Sequence, residues 1–280
     1  MNLRLSNHAR GQIEWLEFGD QNSDQLVVIC HAAATGAQAY HRLAALLSAD
    51  NRRVVVPNLC GYGETNLDFL GDEFTVKDHH SVVEYFCETL PWSQLHLVGH
   101  SMGGLLAFQL ADRMKADSLT LVEPMIFSVL DVKEDEAAIK LDQELVGAFI
   151  RLHEAGQSEE GIKIFIEAWN GVHWHEMPES LRQRIVDLTP QLYRETQAVT
   201  FDQRRKPMDW PTCPIHLMEG GETLLPAQAI IKRLREHHPE AKHSLLENDG
   251  HMGPLFNSDA FAEEITAFWE ALGRPAQTPK

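Results

Sequence analysis

Residues 95–104, Leu-His-Leu-Val-Gly-His-Ser-Met-Gly-Gly, constrain this chain more than any other stretch. A short apolar run, expected to be a strand, passes straight into Gly99-His100-Ser101-Met102-Gly103, and a helical run over 105–114 comes at once after it. A chain that turns from strand to helix in so few residues is strained at the turn, which lifts the Ser101 hydroxyl clear of the sheet. Backbone passes so close on both sides that a Cβ would collide, which accounts for glycine at 99 and 103. The amides that open the helix face the space in front of Ser101, where they stabilise negative charge. The stretch therefore predicts a strand–turn–helix unit that presents a nucleophile.

The rest of the chain supplies the setting. Residues 26–30 and 53–56 are continuous apolar runs, as expected of strands buried on both faces. Short strands are expected near 3–5, 13–18 and 118–122, with helices over 38–48 and 75–90, the latter opened by the capping-box pattern Thr75-Val-Lys-Asp78. From 125 to 209 the alternation stops and the pattern is helical only, over 134–153, 159–169 and 178–199. Strands at 214–218 and 241–246 then alternate with helices at 227–238 and 258–272, and 273–280 is expected to fray. This rhythm predicts an α/β fold with a mostly parallel, doubly wound sheet. Its core is expected over 1–124 and 210–280, with 125–209 inserted as a helical cap. At 280 residues the chain is long enough for one such core plus the insertion.

Charge and composition exclude several function classes. A net charge of −17 opposes nucleic acid or an anionic membrane surface as partner. No run is long enough to span a bilayer, and the first residues lack the apolar segment of a signal peptide. The widely spaced Cys30, Cys60, Cys87 and Cys213 are expected to be free thiols, so the expected location is cytoplasmic. No dinucleotide or phosphate-binding glycine loop is present, and His173-Trp-His175-Glu176 is a poor metal set, so neither cofactor nor metal is expected.

A serine hydroxyl needs a base, and one of the fifteen histidines stands apart. His251 lies late in the chain, in Asn248-Asp-Gly-His-Met-Gly-Pro254, between the last strand and the last helix. With that loop the chain resembles the α/β-hydrolase superfamily over nearly its full length. More narrowly it is similar to bacterial serine esterases that share Gly99–Gly104, Glu123-Pro124, Trp169-Asn170-Gly171 and Gly250–Pro254.

The resemblance implies ester hydrolysis of a small or medium carboxylic ester through an acyl-enzyme, with Ser101 as nucleophile and His251 as base. It implies an oxyanion hole from the amides of Met102 and Ala33, although His31-Ala32 here replaces the usual His-Gly and leaves Ala32 as a neighbouring donor. Likewise Asn58-Leu-Cys-Gly-Tyr-Gly63 stands where relatives carry Asp-x-Arg-Gly-His-Gly, which implies altered structural pairing. His31, Ala32, His100, Met125, Trp169 and Met252 are expected to contact the substrate. The acid is open between two residues. Counting from Gly220, the position that usually holds Asp is Thr223; Glu222 is one residue early, and Glu123 ends the strand after the Ser101 helix, where similar haloalkane dehalogenases can place theirs. Glu123 is favoured. The rival readings are a C–C bond hydrolase of ring-cleavage products with the same triad, and a ligand-binding receptor on a hydrolase scaffold.

Overall fold

The computed structural model describes residues 2–49, 51–71, 73–202 and 209–273. Strands β1 (Asn2–His8) and β2 (Gly11–Gly19) form an antiparallel hairpin at one edge of the sheet. Then come β3 (Gln25–Cys30), β4 (Arg53–Pro57), the two-residue β5 (Asn66–Leu67), β6 (Gln94–His100), β7 (Ser118–Val122), β8 (Ile215–Gly220) and β9 (Lys242–Leu246). Their order in space is β1-β2-β4-β3-β6-β7-β8-β9, with β5 paired to β2. All pairs from β4 to β9 are parallel.

Parallel strands need crossovers, and the helices that make them cover both faces. Leu26, Val28 and Cys30 of β3 pack on one face with Val82 and Phe86 of α2 (Val76–Thr89), and with Leu105 and Leu106 of α3 (Met102–Leu110). Val27 and Ile29 point the other way, onto Leu43 of α1 (His41–Leu47) and, from the chain's last helix, Phe261 and Ile265. Each aliphatic side chain so buried contributes about 2 kcal/mol, which is why β3 has no polar face. Helix α2 begins where the capping pattern predicts: the Asp78 carboxylate accepts the Thr75 N–H at 2.9 Å.

Between β7 and β8 the chain leaves the sheet and forms α4 (Glu136–Glu154), α5 (Ser158–Asn170), α6 (Glu179–Asp187) and α7 (Thr189–Asp202). These pack around Phe149, Ile162, Ile166, Ile185 and Leu192, a small core of their own above the sheet's carboxyl ends. The single helix expected over 178–199 is two. Pro190 has no N–H to donate and its ring would strike the preceding turn, so it is accommodated only in the first turn of a new helix, and the chain breaks at Leu188. The end of the predicted insertion, at 203–208, and the tail at 274–280 lie outside the described residues.

After β8 the rhythm resumes with α8 (Leu225–His237), a short unforeseen α9 (Gly253–Phe256) directly after His251, and α10 (Ser258–Gly273). Helix α3 stops at Leu110, four residues before the apolar pattern ends. Among the described residues no helix is long and apolar enough to cross a membrane.

Candidate active site

Ser101 sits between β6 and α3 with φ 56° and ψ −121°, a backbone conformation that L-residues rarely adopt. Two close approaches enforce it. A Cβ on Gly103 would collide with the carbonyl oxygens of Cys30 and His31, and one on Gly99 would strike the backbone of Gly103. The strained turn therefore presses the start of α3 against the loop after β3.

His251 is brought to Ser101 by the loop after β9. Its Nε2 lies 2.9 Å from Ser101 Oγ and its Nδ1 lies 2.7 Å from Glu123 Oε2. A carboxylate only accepts, so Nδ1 carries the proton and Nε2 is left to accept from the serine hydroxyl. Glu123 is 1% exposed, and φ 41° at the end of β7 turns its side chain across the strand ends. Two further donors hold it. The Gly220 N–H donates to Oε1 at 2.7 Å, and the Thr223 hydroxyl donates to Oε2 at 2.5 Å. Thr223, the residue at the usual Asp position, thus supports the carboxylate that stands against the histidine. Glu222 is exposed, and its N–H is held by the Asp249 carbonyl at 2.9 Å.

The loop after β3 is fixed by two tyrosines. The Ala32 N–H donates to the Tyr40 hydroxyl at 2.9 Å, and the Ala34 N–H donates to the Tyr62 hydroxyl at 3.0 Å. Among the described residues the Ala33 N–H between them has no protein partner, and neither has that of Met102 at the start of α3. Tyr62 in turn donates to Glu195 of α7 at 2.7 Å, and Asn58 donates to Glu14 at 2.5 Å while accepting the Ala37 N–H at 2.8 Å. These contacts are the new pairing of the segment that lacks the usual Asp and Arg.

Ala32, Ala33, Ser101, Met102, Met125, Trp169, His251 and Met252 all line one pocket beneath the inserted helices. It holds about 690 Å³ of empty space, its open mouth included. Phe127, Val146, Phe165 and Ile166 make its wall apolar, and the Trp169 ring lies 4.7 Å from that of His251. Two carboxylates also reach it, Asp142 of α4 and Glu195 of α7, neither singled out in the sequence. No short-range pattern marks them, because each is an ordinary polar position on an amphipathic helix.

Two of the expected substrate contacts are not at the pocket. His31 is fully buried, its Nδ1–H donating to the Ala32 carbonyl at 2.8 Å and its Nε2 accepting the Leu59 N–H at 3.1 Å. Burial lowers its pKa to about 3, so it is a neutral cross-link between loops. His100 is equally enclosed, between the Tyr40 hydroxyl at 2.6 Å and the His251 carbonyl at 2.7 Å. Both side chains point beneath the turn because the alternation of the strand and the tightness of the loop turn them away from the cavity. The His173 and His175 rings stack at 5.5 Å, and among the described residues no three His, Cys, Asp or Glu side chains group as a metal site requires.

Residues 25–154 match the sequence model of the alpha/beta hydrolase fold. Solved structures extend the likeness over the whole chain. An Acinetobacter baumannii AYE protein with a lipase designation superposes with a TM-score of 0.74 at 20% identity, covering 97% of this chain and 92% of its own. The chain has the α/β-hydrolase fold. A thermophilic esterase from Thermogutta terrifontis is similar with a TM-score of 0.70 at 18% identity, over 97% of this chain and 99% of its own. A serine hydrolase involved in carbazole degradation gives 0.70 at 16% identity, over 96% and 99%. No curated protein matches this sequence.

Proposed function

We propose that this α/β-hydrolase-fold chain is a serine esterase in which Ser101, His251 and Glu123 form the catalytic triad and the amides of Ala33 and Met102 form the oxyanion hole. The observation that carries the reading is the line from Ser101 Oγ through His251 to Glu123, at 2.9 and 2.7 Å, opening on an apolar pocket. Ser101 attacks the ester carbonyl as its proton passes to His251 Nε2, and the carbonyl oxygen becomes an oxyanion between the two amides. Collapse of that intermediate breaks the bond to the alcohol, which leaves with the proton from His251. Water then gives a proton to the same nitrogen and attacks the acyl carbon, and the carboxylic acid departs as Ser101 regains its proton. Glu123 holds the tautomer and stabilises the imidazolium throughout.

The helices α4 to α7 act as a cap that sets acyl specificity. Both oxygens of Glu195 are held by the protein, by Tyr62, His79 and Gln191, so its place in the lining is structural, and the apolar wall favours an uncharged acyl chain. The free state of the thiols Cys30, Cys60, Cys87 and Cys213 supports action in the cytoplasm. A panel of chromogenic esters of rising acyl length, with Ser101→Ala as blank, tests the reading. Turnover must vanish in the variant, and undiminished hydrolysis there would end it.

A further inference from the structure

Beneath the site runs a chain of buried hydrogen bonds that the triad itself does not need. It starts at the Ala32 N–H, which donates to Tyr40 Oη at 2.9 Å. Tyr40 Oη lies 2.6 Å from His100 Nδ1, and His100 Nε2 lies 2.7 Å from the carbonyl oxygen of His251. Tyr40 and His100 are each 1% exposed, so no water competes for these groups.

The protons can be arranged in one way only. The His251 carbonyl can only accept, so His100 Nε2 carries the hydrogen. His100 Nδ1 must then accept, and the Tyr40 hydroxyl donates to it while taking the Ala32 N–H on its oxygen. Every bond in the row points the same way, so each polarises the next. Burial and the neighbouring His251 hold the His100 pKa well below its ordinary value, which keeps the ring in the neutral form the row requires.

We infer that Tyr40 and His100 are positioning residues that lock the oxyanion loop and the His251 loop into one register across the Ser101 turn. The three tied backbones are those that catalysis must align. Ala32 immediately precedes Ala33, the amide left for the oxyanion. His100 immediately precedes Ser101. The third end is the backbone of His251 itself. The row joins the peptide at residue 32, which follows β3, to the carbonyl of residue 251 by way of His100 at the end of β6, the strand beside β3. Packing of α9 on residues 37–40 also holds the two loops together, but apolar contacts tolerate small slides that the row's directional bonds oppose, and displacements well under the length of a hydrogen bond misalign a transition state while leaving a pocket that still binds.

This inference rests on the serine-esterase reading, and the test separates the two. Tyr40→Phe removes one oxygen from a side chain whose ring stays packed among Leu43, Val54 and Val56. His100→Asn keeps an acceptor near the Nδ1 position but cannot reach the His251 carbonyl, so it cuts the second half alone. Each variant is assayed for kcat, KM, thermal midpoint and affinity for an arylboronic acid, which forms a tetrahedral adduct on serine. Wild-type protein treated with a fluorophosphonate probe reports Ser101 independently.

The expected result is a fall in kcat of about 10- to 100-fold with KM unchanged within about twofold, and boronate affinity falling in parallel with kcat/KM. A merely structural role would lower the thermal midpoint and leave kcat and boronate affinity of the folded fraction at wild-type values, and that outcome overturns the inference. If Tyr40→Phe does not fold, His100→Asn decides on the same criteria. Failure of the wild type to be labelled at Ser101 or to turn over any ester sinks the underlying reading. Labelled, active wild type with unaffected variants sinks only the positioning role.

Discussion

Replacing Glu123 by Gln removes a charge without changing shape, and the hydrogen-bond donors around it dictate the consequence. Three of them converge on the carboxylate: the Gly220 N–H on Oε1, and the Thr223 hydroxyl and His251 Nδ1–H on Oε2. A glutamine amide has one oxygen. If that oxygen stays with Gly220, whose N–H can only donate, the NH₂ faces His251 and forces Nδ1 to accept. The hydrogen then moves to Nε2, which points at Ser101 and can no longer take its proton. If the amide flips, the NH₂ meets the Gly220 N–H, donor against donor in a buried site, at a cost of about 1–3 kcal/mol. Either way the imidazolium loses its counter-charge. The loss in kcat should be on the order of 10⁴-fold, or about 5.5 kcal/mol of barrier. Steady-state hydrolysis of the best ester, beside Glu222→Gln as control, measures it. The control should keep activity within about twofold, because the exposed Glu222 meets neither the histidine nor the pocket. Near-normal kcat in Glu123→Gln would refute the reasoning, and loss confined to Glu222→Gln would transfer the role.

Three other outcomes are expected. Thr223→Val should lower kcat by about tenfold and Thr223→Ser should restore it, since the hydroxyl and not the methyl of Thr223 bonds Glu123 Oε2; equal rates in all three would remove Thr223 from the site. Phe165→Ala and Trp169→Ala, which enlarge the apolar wall, should move the preferred acyl length upward across the ester panel, and a flat profile would dissociate the inserted helices from specificity. Acid should unfold the protein through its buried histidines. Burial lowers His31 and His216 to about 3 and His96 to about 4, all below the ordinary value of 6.5 they regain on unfolding. Their contribution is complete above pH 6.5 and is lost as the pH falls from there toward 4. The unfolded state binds about one to two extra protons between pH 7 and 6 and nearly three between pH 6 and 5, so stability falls by about 2 kcal/mol over the first unit and about 4 kcal/mol over the second. Denaturant titrations at pH 7, 6 and 5 should show that steepening loss, and a stability independent of pH over this window would contradict it.

Much of this was legible in one dimension because short-range sterics and periodicity wrote it there. The continuous apolar runs 26–30 of β3 and 54–56 of β4 had to be central, since no exposed strand would carry aliphatic side chains on both faces. Gly99 and Gly103 marked a turn that only a strained, presented residue could occupy, and the Gly-flanked His251 loop came after the last strand. Pro190 was equally visible as a helix breaker, and the two-helix outcome over 179–202 results from the missing N–H that the apolar periodicity masked.

The tertiary structure alone decided matters of a few tenths of a nanometre between distant residues. Glu123 and Glu222 are both acids near strand ends, and only the turn of the backbone at φ 41° aims the first at a histidine 128 residues away. Ala32, Ala33 and Ala34 are identical in composition. Tyr40 and Tyr62 occupy the outer two amides, and among the described residues the middle one is left without a protein partner. His31 and His100 carry the same ring as His251, yet packing encloses both as neutral links beneath the turn. Residue type specifies which chemistry a side chain can perform, while orientation and burial, set by contacts far apart in the chain, determine which copy of that side chain performs it.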